Sequence, residues 1–270
     1  EHYSFERGNI YSFDCAMVAF GMIKLYDITA DDGYLDCAEK IINFLNGKMS
    51  KPDGLYYPIF DTKENAPYQD TEKWSTQSGS FHCKLALCLC EFARVSEDRS
   101  LVARAKHLID SSLDNFFKGG RFITNQRDKA SHLHPYSYTL EGILYYTHKT
   151  KDAGYEGVIE KAFGWIASLQ DEDGGFPTEV YGDGRRKASY QRCDIQSQVL
   201  RLSYLLRSNF DREKLLERFL DLQNIQDDYK GGFLFGADEK GVFRRHSNAW
   251  CSMFALQTLY LVSGQASKDI

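Results

Sequence analysis

Polar and aromatic residues that could do chemistry recur at the starts of the apolar helical stretches of this 270-residue sequence. They offer imidazole, carboxylate, guanidinium, amide and indole groups, and four of the seven histidines lie among them. Helix starts that converge on one end of a ring of hairpins would line a single bowl, although they are far apart in sequence. The set comprises Glu6, Arg7, Asn9, Asp14, Ser78, Ser80, His82, His132, His134, Tyr136, Tyr138, Arg192, Asp194, Gln196, His246, Asn248 and Trp250.

Proton transfer is the chemistry that suits the candidate catalytic residues His134, Asp194, His246 and Tyr136. Epimerisation or β-elimination next to a carbonyl or uronate needs a base and an acid that work near neutral pH, and histidine fills these roles without much tuning. Arg192 would pair with an anionic group of the substrate.

Hydrolysis of a glycosidic bond is the competing chemistry. It needs two carboxyl groups roughly 5–10 Å apart, one of them protonated. At the helix starts, Asp194 paired with Asp14 or with Glu6 is the combination that the sequence offers. The residues alone therefore leave an isomerase, a lyase and a hydrolase open.

Saccharide binding is the second role that these residue types fit. A sugar ring packs its C–H surface on an aromatic face and bonds through its hydroxyls to charged or amide groups. The predicted substrate-binding residues are Arg192, Gln196, Asn248, Trp250, His82, Asp14 and Tyr138. We predict no cofactor and no metal.

Each of these residues also has a structural interpretation. Asp194 would cap its own helix by accepting backbone N–H groups, and His82, beside Cys83, would be a core histidine. Trp250 and Tyr136 would be packing aromatics. Caps alone supply Ser, Thr, Asp and Asn, however, so Arg, His and Trp at the same repeat position favour a functional site.

The elements that must position these residues form a repeat with a period of about 55 residues, in the range of helical solenoids and closed arrays. Its mark is a Gly-Gly turn followed by a large residue, with one helical stretch before it and another after it. Copies occur at Gly119-Gly120-Arg121-Phe122, Gly174-Gly175-Phe176 and Gly231-Gly232-Phe233, with Asp53-Gly54-Leu55 as a looser first copy.

Apolar periodicity predicts helices that alternate between an apolar inner type and a half-polar outer type. Inner helices are expected at 12–28, 79–95, 135–148, 192–207 and 247–262, and outer helices at 33–48, 99–117, 154–169 and 211–224. An open superhelix would leave one apolar face of each inner helix in water, which favours a closed ring. The sequence therefore predicts an all-α fold, a single (α/α) toroid over residues 1–270 that could be incomplete at its N-terminus, with only short strand pairings after Gly54, Gly120, Gly175 and Gly232.

Composition excludes several classes of protein. Apolar residues make up 43% and aromatic residues 14%, enough for a core, and the formal charge of −5 gives no basic footprint for nucleic acid. No apolar run reaches the roughly 18 residues of a membrane helix, so no membrane insertion is expected. The start at Glu1 rather than Met is what a trimmed fragment would show. Cysteines inside apolar patterns (Cys83, Cys88, Cys90, Cys251) predict reduced core thiols and a cytoplasmic protein.

Three motifs carry a resemblance to a known superfamily. They are Gln170-Asp171-Glu172-Asp173-Gly174-Gly175-Phe176, His134-Pro135-Tyr136 and His246-Ser247-Asn248-Ala249-Trp250. They resemble the six-hairpin toroids of carbohydrate-active proteins, which include N-acylglucosamine and cellobiose 2-epimerases, unsaturated glucuronyl hydrolases, toroidal polysaccharide lyases and proteins of bacterial polysaccharide biosynthesis.

The resemblance implies a saccharide ligand in the bowl and an epimerase, isomerase, lyase or glycoside hydrolase linked to polysaccharide metabolism. A non-catalytic glycan-binding or assembly protein of polysaccharide biosynthesis is the alternative. The resemblance further implies that about one and a half hairpins of the six are missing. His134 and His246 are the histidines at suitable helix starts for the epimerases' catalytic pair, although the motifs around them differ. The oligomeric state stays open.

A second resemblance competes with the first. The Gln170 to Phe176 turn is similar to those of terpene cyclases and prenyltransferase β-subunits, which are also toroids. The acidic motif of the cyclases is missing from the sequence. The zinc ligands of the prenyltransferases have only a weak match in the residue types of Cys193, Asp194 and His246. Lipid or prenyl chemistry is therefore the less favoured interpretation.

Overall fold

The fold was analysed in a computed structural model that describes residues 8–186, 191–206, 210–226, 228–238, 240, 242–244 and 246–264. Helices dominate these residues, and each predicted helix has a counterpart. The α-helices are α1 (Ser12–Thr29), α2 (Asp32–Phe44), α3 (Ala86–Ser96), α4 (Ser100–Phe116), α5 (Leu133–Thr150), α6 (Glu156–Ala167), α7 (Cys193–Leu206), α8 (Arg212–Leu220) and α9 (Ala249–Val262).

Two of the predicted helices differ clearly from the structure. The stretch expected as one inner helix over 79–95 begins as a 3-10 helix, Ser80–Leu85, before α3. The outer helix expected over 211–224 ends at Leu220. Short 3-10 turns also occur at Trp74–Thr76 and Ala153–Tyr155, and a π-helical turn, Leu45–Met49, extends α2.

Strands are short, as predicted. β1 (Asn9–Tyr11), β2 (Ile59–Asp61) and β3 (Ala66–Tyr68) form an antiparallel sheet in that order, and the other described strands form antiparallel pairs. The pairs are β4 (Phe117–Lys118) with β5 (Arg121–Phe122), β6 (Ser131–His132) with β7 (Glu179–Val180), and β8 (Gln191–Arg192) with β9 (Gly236–Ala237). Because β6 runs straight into α5 and β8 into α7, the pairs fix where these two helices begin.

The chain divides into two compact units. The first unit comprises residues 1–129 and 138–159, and the second comprises residues 130–137 and 160–270. The first turn of α5 thus belongs to the second unit and the rest of that helix to the first. The single domain over residues 1–270 stays a prediction.

Within each unit the helices pack as inner and outer partners. In the first unit α1 packs against both α2 and α3, and α3 packs against α4; in the second, α7 packs against both α8 and α9. Gly142 of α5 shows how close the first unit's inner segments approach, since a Cβ there would lie 2.2 Å from the carbonyl carbon and oxygen of Cys83. Any side chain at this position would force the two backbones apart.

The cysteines are free thiols, and five are buried: Cys83, Cys88, Cys90, Cys193 and Cys251. Burial raises the pKa of Cys83 to about 12. Burial is also the main cause that raises the pKa of Cys90 to about 12. These thiols are therefore protonated and act as small core residues. No helix of the described residues combines the length and apolarity needed to cross a bilayer.

A buried carboxylate joins three helices of the first unit. Glu91 of α3 is 1% exposed, and its Oε2 lies 2.5 Å from Lys24 Nζ of α1 and 3.0 Å from Arg94 Nη2. Its Oε1 lies 2.9 Å from Lys149 Nζ of α5 and accepts a bond from the Tyr145 hydroxyl. Burial raises the pKa of Glu91, but hydrogen bonds from Lys24, Tyr145 and Lys149 outweigh it and bring the pKa down to about 2.

We expect this network to make the stability of the protein depend on pH. The folded-state pKa of Glu91 lies below its unfolded value of about 4.3, so its contribution is present above that pH and is lost as pH falls toward 2. The shift corresponds to a contribution on the order of 3 kcal/mol. Glu91→Gln should lower the free energy of unfolding by about 3 kcal/mol at pH 7. Below about pH 4 the difference in the free energy of unfolding between the variant and wild type should become smaller, as measured by urea denaturation across pH.

Glu39→Gln is the matched control, because Glu39 is an exposed acid on α2 of the same unit. It should change stability by no more than about 0.5 kcal/mol at any pH. A gap between Glu91→Gln and wild type that stays constant from pH 7 to pH 2.5 would show that the network does not depend on the charge of Glu91.

Candidate functional site

The start of α7 is held in place by the Gly-Gly-aromatic turn before it. Gly174 has a φ of +89°, which favours glycine, and a Cβ there would lie 2.5 Å from the carbonyl oxygen of Lys214. The amide of Gln196 on α7 then bonds the turn twice: Oε1 accepts from Phe176 N at 2.9 Å and Nε2 donates to Phe176 O at 3.0 Å. Gln196, predicted to bind substrate, is fully buried and fixes the turn to the helix.

Asp194 lies one residue into α7 and is fully buried. Arg192 donates hydrogen bonds to both oxygens of Asp194, with Nε 3.0 Å from Oδ1 and Nη2 2.5 Å from Oδ2. The Oδ2 atom also lies 3.0 Å from Nδ1 of His134, and Oδ1 accepts a bond from the backbone of Ile195 at 3.1 Å. A helix cap accepts from residues two or three positions further on, so these contacts describe the centre of an ion-pair network.

The charge of Asp194 follows from these contacts. Burial raises its pKa, but the neighbouring His134 and Arg192 more than reverse that and hold it well below its ordinary value. Asp194 is therefore an ionised carboxylate at neutral pH, and its oxygens only accept hydrogen bonds. It can orient an imidazole and stabilise its charged form, but it has no proton to donate.

His134 is placed by the strand pair before α5. Leu133 N donates to Thr178 O at 3.0 Å beside the β6–β7 pair, and His134 follows in the first turn of the helix, 5% exposed. Its Nδ1 contacts two acceptors, Asp194 Oδ2 and, at 2.8 Å, Gln198 Oε1. Since both are acceptors, Nδ1 carries the proton, and in the neutral ring Nε2 carries the lone pair.

Gln198 was not among the predicted site residues, although the sequence carries a signal for it. Gln198 follows Asp194 by four residues on the same helix, and residues at this spacing share one face. A buried amide on the face that carries Asp194 could have been assigned to the site.

Two aromatic rings of α9 flank the imidazole of His134. Its ring centroid lies 6.1 Å from that of Trp250 and 5.8 Å from that of Phe254, and the two aromatic rings meet edge to face at 5.4 Å. Trp250 is 43% exposed, whereas Phe254 is buried. Phe254, which sequence reasoning also missed, follows Trp250 by one helical turn. The partly exposed indole gives the site a wall on which a sugar ring could pack.

His246 is linked to the network through an aromatic ring. Its imidazole stacks on Phe235 at 5.7 Å with an interplanar angle of 18°, and the guanidinium carbon of Arg192 lies 5.1 Å from the same ring. His246 is exposed. The thiols of Cys193 and Cys251 are free and share a hydrogen bond. Within the described residues Cys193, Asp194 and His246 do not form a metal-ligand group.

Two other predicted site residues make structural contacts. The hydroxyl of the buried Tyr136 donates to Ala162 O at 3.1 Å, and its ring stacks on Trp165 at 5.2 Å. Asn248 caps α9, since its side chain accepts from Cys251 N at 3.1 Å. Their roles in catalysis and binding stay predictions.

The remaining predicted binding residues belong to the first unit. His82 is fully buried with Nε2 3.0 Å from Ser12 Oγ, and burial lowers its pKa to about 3, so the ring is neutral. Tyr138 lies under Lys84 Nζ, 4.1 Å from its ring centroid. Asp14 is in the first turn of α1. Glu6 and Arg7 lie outside the described residues, and a substrate role for this group stays a prediction.

No protein-family model and no curated protein matches the sequence. Solved structures do match. A D-mannose isomerase has a TM-score of 0.80 at 13% identity, with 96% of this chain and 72% of that chain covered. A cellobiose 2-epimerase from Bacillus thermoamylovorans has a TM-score of 0.74 at 15% identity, with 94% and 72% covered. An α-amylase from Clostridium perfringens has a TM-score of 0.67 at 13% identity, with 93% and 71% covered.

These matches define the class of fold. The isomerase and the epimerase are (α/α) toroid enzymes that act on carbohydrates, and this chain has the same all-α toroid fold. The predicted fold class and the resemblance to carbohydrate-active toroids are thereby confirmed. Identities of 13–15% show the fold alone, so the reaction has to be argued from the site.

Replacing Asp194 tests whether it is a network centre or a helix cap. Asp194→Asn removes the charge that Arg192 and His134 share, and we expect a loss of about 3 kcal/mol in the free energy of unfolding. Asn248→Asp is the control, because Asn248 is a true cap and Asp caps about as well as Asn, so a change within about 0.5 kcal/mol is expected. Equal, small effects of both substitutions in urea denaturation would contradict the network.

Proposed function

We propose that this protein is a carbohydrate-active enzyme that moves a proton at the carbon next to the carbonyl group of a sugar, as an isomerase or epimerase. The observation that carries the proposal is the pairing of His134 Nδ1 with the buried, ionised Asp194. This pairing fixes the ring and its tautomer and makes Nε2 the basic atom.

In the proposed reaction, Nε2 of His134 takes the proton from the carbon next to the carbonyl. The electron pair of the broken C–H bond moves toward the carbonyl carbon, and the carbonyl oxygen gains the negative charge of an enediolate. Return of a proton to the opposite face of the same carbon gives the epimer. Its return to the former carbonyl carbon, with the hydroxyl proton of the first carbon passing to the former carbonyl oxygen, gives the ketose or aldose isomer. The Asp194 carboxylate stabilises the imidazolium formed in between.

A second acid-base group is needed to deliver or remove the other proton. His246 is the proposed candidate, because it stacks on the ring against which Arg192 packs and is exposed to solvent. Tyr136 is the weaker candidate, since its buried hydroxyl already donates to Ala162 O.

Hydrolysis fits the network less well. A glycosidase needs one protonated carboxyl group and a second carboxylate that reaches the sugar or a water. Asp194 is buried and ionised, and its oxygens are engaged by Arg192 and His134. It would not serve as the acid, and its proposed role is to position the histidine.

The matched structures support a reducing sugar as the substrate. D-mannose isomerase and cellobiose 2-epimerase are named for reactions on an aldose end, and their TM-scores exceed that of the amylase. The indole of Trp250 would pack against one face of the sugar ring, next to His134. The link to polysaccharide metabolism belongs to the same proposal and is tested by including oligosaccharides.

Deuterium exchange tests the reaction directly. The protein is incubated in D2O with D-mannose, D-glucose, D-fructose, cellobiose and longer reducing oligosaccharides, and products are followed by NMR. We expect deuterium at the carbon next to the carbonyl, together with an epimer or isomer. His134→Gln should slow this exchange by roughly 10²-fold or more, the usual share of a general base.

His148→Gln is the matched control, since His148 lies in the last turn of the same helix. This variant should exchange the sugar hydrogen for deuterium at the wild-type rate. Unchanged exchange in His134→Gln would overturn the assignment of the base. New reducing ends without deuterium would indicate a glycoside hydrolase. Binding of a sugar with neither exchange nor cleavage would indicate a glycan-binding protein.

A further inference from the structure

A fully buried amide lies against the proposed base. Gln198 stands one turn beyond Asp194 on α7, and its Oε1 is 2.8 Å from Nδ1 of His134. It was outside the residues that the sequence pattern selected, because it lies within the apolar part of the helix and away from its start.

The orientation of this amide is fixed by its neighbours. Asp194 is ionised and accepts at Oδ2, 3.0 Å from His134 Nδ1, so Nδ1 must carry a hydrogen. A protonated Nδ1 can face only the oxygen end of the Gln198 amide. The nitrogen end, Nε2, therefore points away from the imidazole with two hydrogens to donate.

Nothing among the residues that the structure describes accepts a hydrogen bond from Gln198 Nε2, although the atom is buried. The other buried glutamine on α7 differs, since Gln196 uses both ends of its amide on Phe176. Buried donors are almost always paired, and an unpaired one beside a functional group calls for an explanation.

We propose that Gln198 determines which sugar the site accepts: its Nε2 donates to an oxygen of the bound saccharide, while its Oε1 holds the ring of His134. The assignment rests on the proposed function and adds a residue to the site. The Gln198 side chain then contacts both the imidazole of His134 and an oxygen of the sugar. It thereby holds the sugar at a fixed position relative to Nε2 of His134.

This arrangement has a consequence for selectivity. A site that donates to a particular sugar oxygen discriminates against an analogue that lacks it, because the buried donor is then left unpaired. A set of mono-deoxy analogues of the best sugar should therefore contain one compound that the wild-type protein binds more weakly than the others, by about tenfold.

Two variants test the assignment. Gln198→Glu keeps an acceptor for His134 Nδ1 and replaces the two-hydrogen amide donor with a carboxyl oxygen, whereas Gln198→Met removes both the acceptor and the donor. Dissociation constants are measured by calorimetry for the parent sugar and each mono-deoxy analogue, and kcat/KM is measured for those that turn over. We expect both variants to lose the tenfold preference for the parent over the one sensitive analogue, and Gln198→Met to lose kcat as well.

Gln77→Met is the control for loss of buried amide bonds. Gln77 is buried in the first unit, where its amide bonds to Thr71, Asn125 and Gln126. This variant should have a lower melting temperature and an unchanged preference among the sugars. If Gln198 had only a structural role, Gln198→Glu would likewise have a lower melting temperature and an unchanged preference among the sugars.

The outcomes separate this inference from the proposed function. Exchange by the wild-type protein together with unchanged analogue preferences in Gln198→Glu would overturn the assignment of Gln198 alone. Binding without exchange would overturn the proposed reaction, but the binding preferences would still test Gln198. No sugar binding by the wild-type protein would overturn both.

Discussion

A buried negative charge is the constraint on which the second unit depends. Asp194 is removed from water, and an ionised carboxylate in that position is tolerated only when charged and hydrogen-bonding partners surround it. Arg192 comes from the strand before α7, and His134 comes from the first turn of α5. The two helix starts must therefore stay within hydrogen-bonding distance, and the strand pairs, the Gly174 turn and the Gln196 amide keep them there.

Two of the buried carboxylates, Glu91 and Asp194, differ in the partners that hold their charge. Glu91 is paired with lysine and arginine groups and a tyrosine hydroxyl on α1, α3 and α5, so its network joins helices. Asp194 has one permanent cation, Arg192, and one imidazole, His134. An imidazole changes its charge near neutral pH, and a carboxylate beside it can stabilise both its orientation and its charged form. That difference in partners is why the second network is the candidate for chemistry.

Sequence periodicity predicted most of the helices because an inner helix must be apolar on several sides and an outer helix on one. The errors have local causes. The stretch Ser80–Leu85 is 3-10 rather than α-helical, a difference that the apolar pattern cannot show, and α8 ends at Leu220, before the predicted end. Short strands were predicted only after Gly54, Gly120, Gly175 and Gly232, but β1 lies before the first of these turns and β4 lies just before Gly120. The division into two compact units has no counterpart in the repeat, because contacts between segments far apart in sequence decide it.

The site was predictable where residue type alone carried the signal. His134, Arg192, Asp194 and Trp250 are unusual residues at helix starts, and the structure connects them. Amides are different, because an amide serves a backbone as well as a ligand. The substrate role of Gln196 stays a prediction; the partner that the structure shows is a backbone segment twenty residues away, and no local pattern shows such a bond.

The fold itself does not select the reaction, since an isomerase, an epimerase and an amylase all match this chain. Proton transfer at carbon and hydrolysis place opposite demands on a buried carboxyl group: the first needs it ionised beside a base, and the second needs it protonated beside a leaving group. The bidentate contact with Arg192 supports the proposal of proton transfer, because it keeps the charge on Asp194 and so leaves the proton on Nδ1 of His134. In this proposal Arg192 acts on His134 through Asp194, and its predicted contact with the substrate stays a prediction.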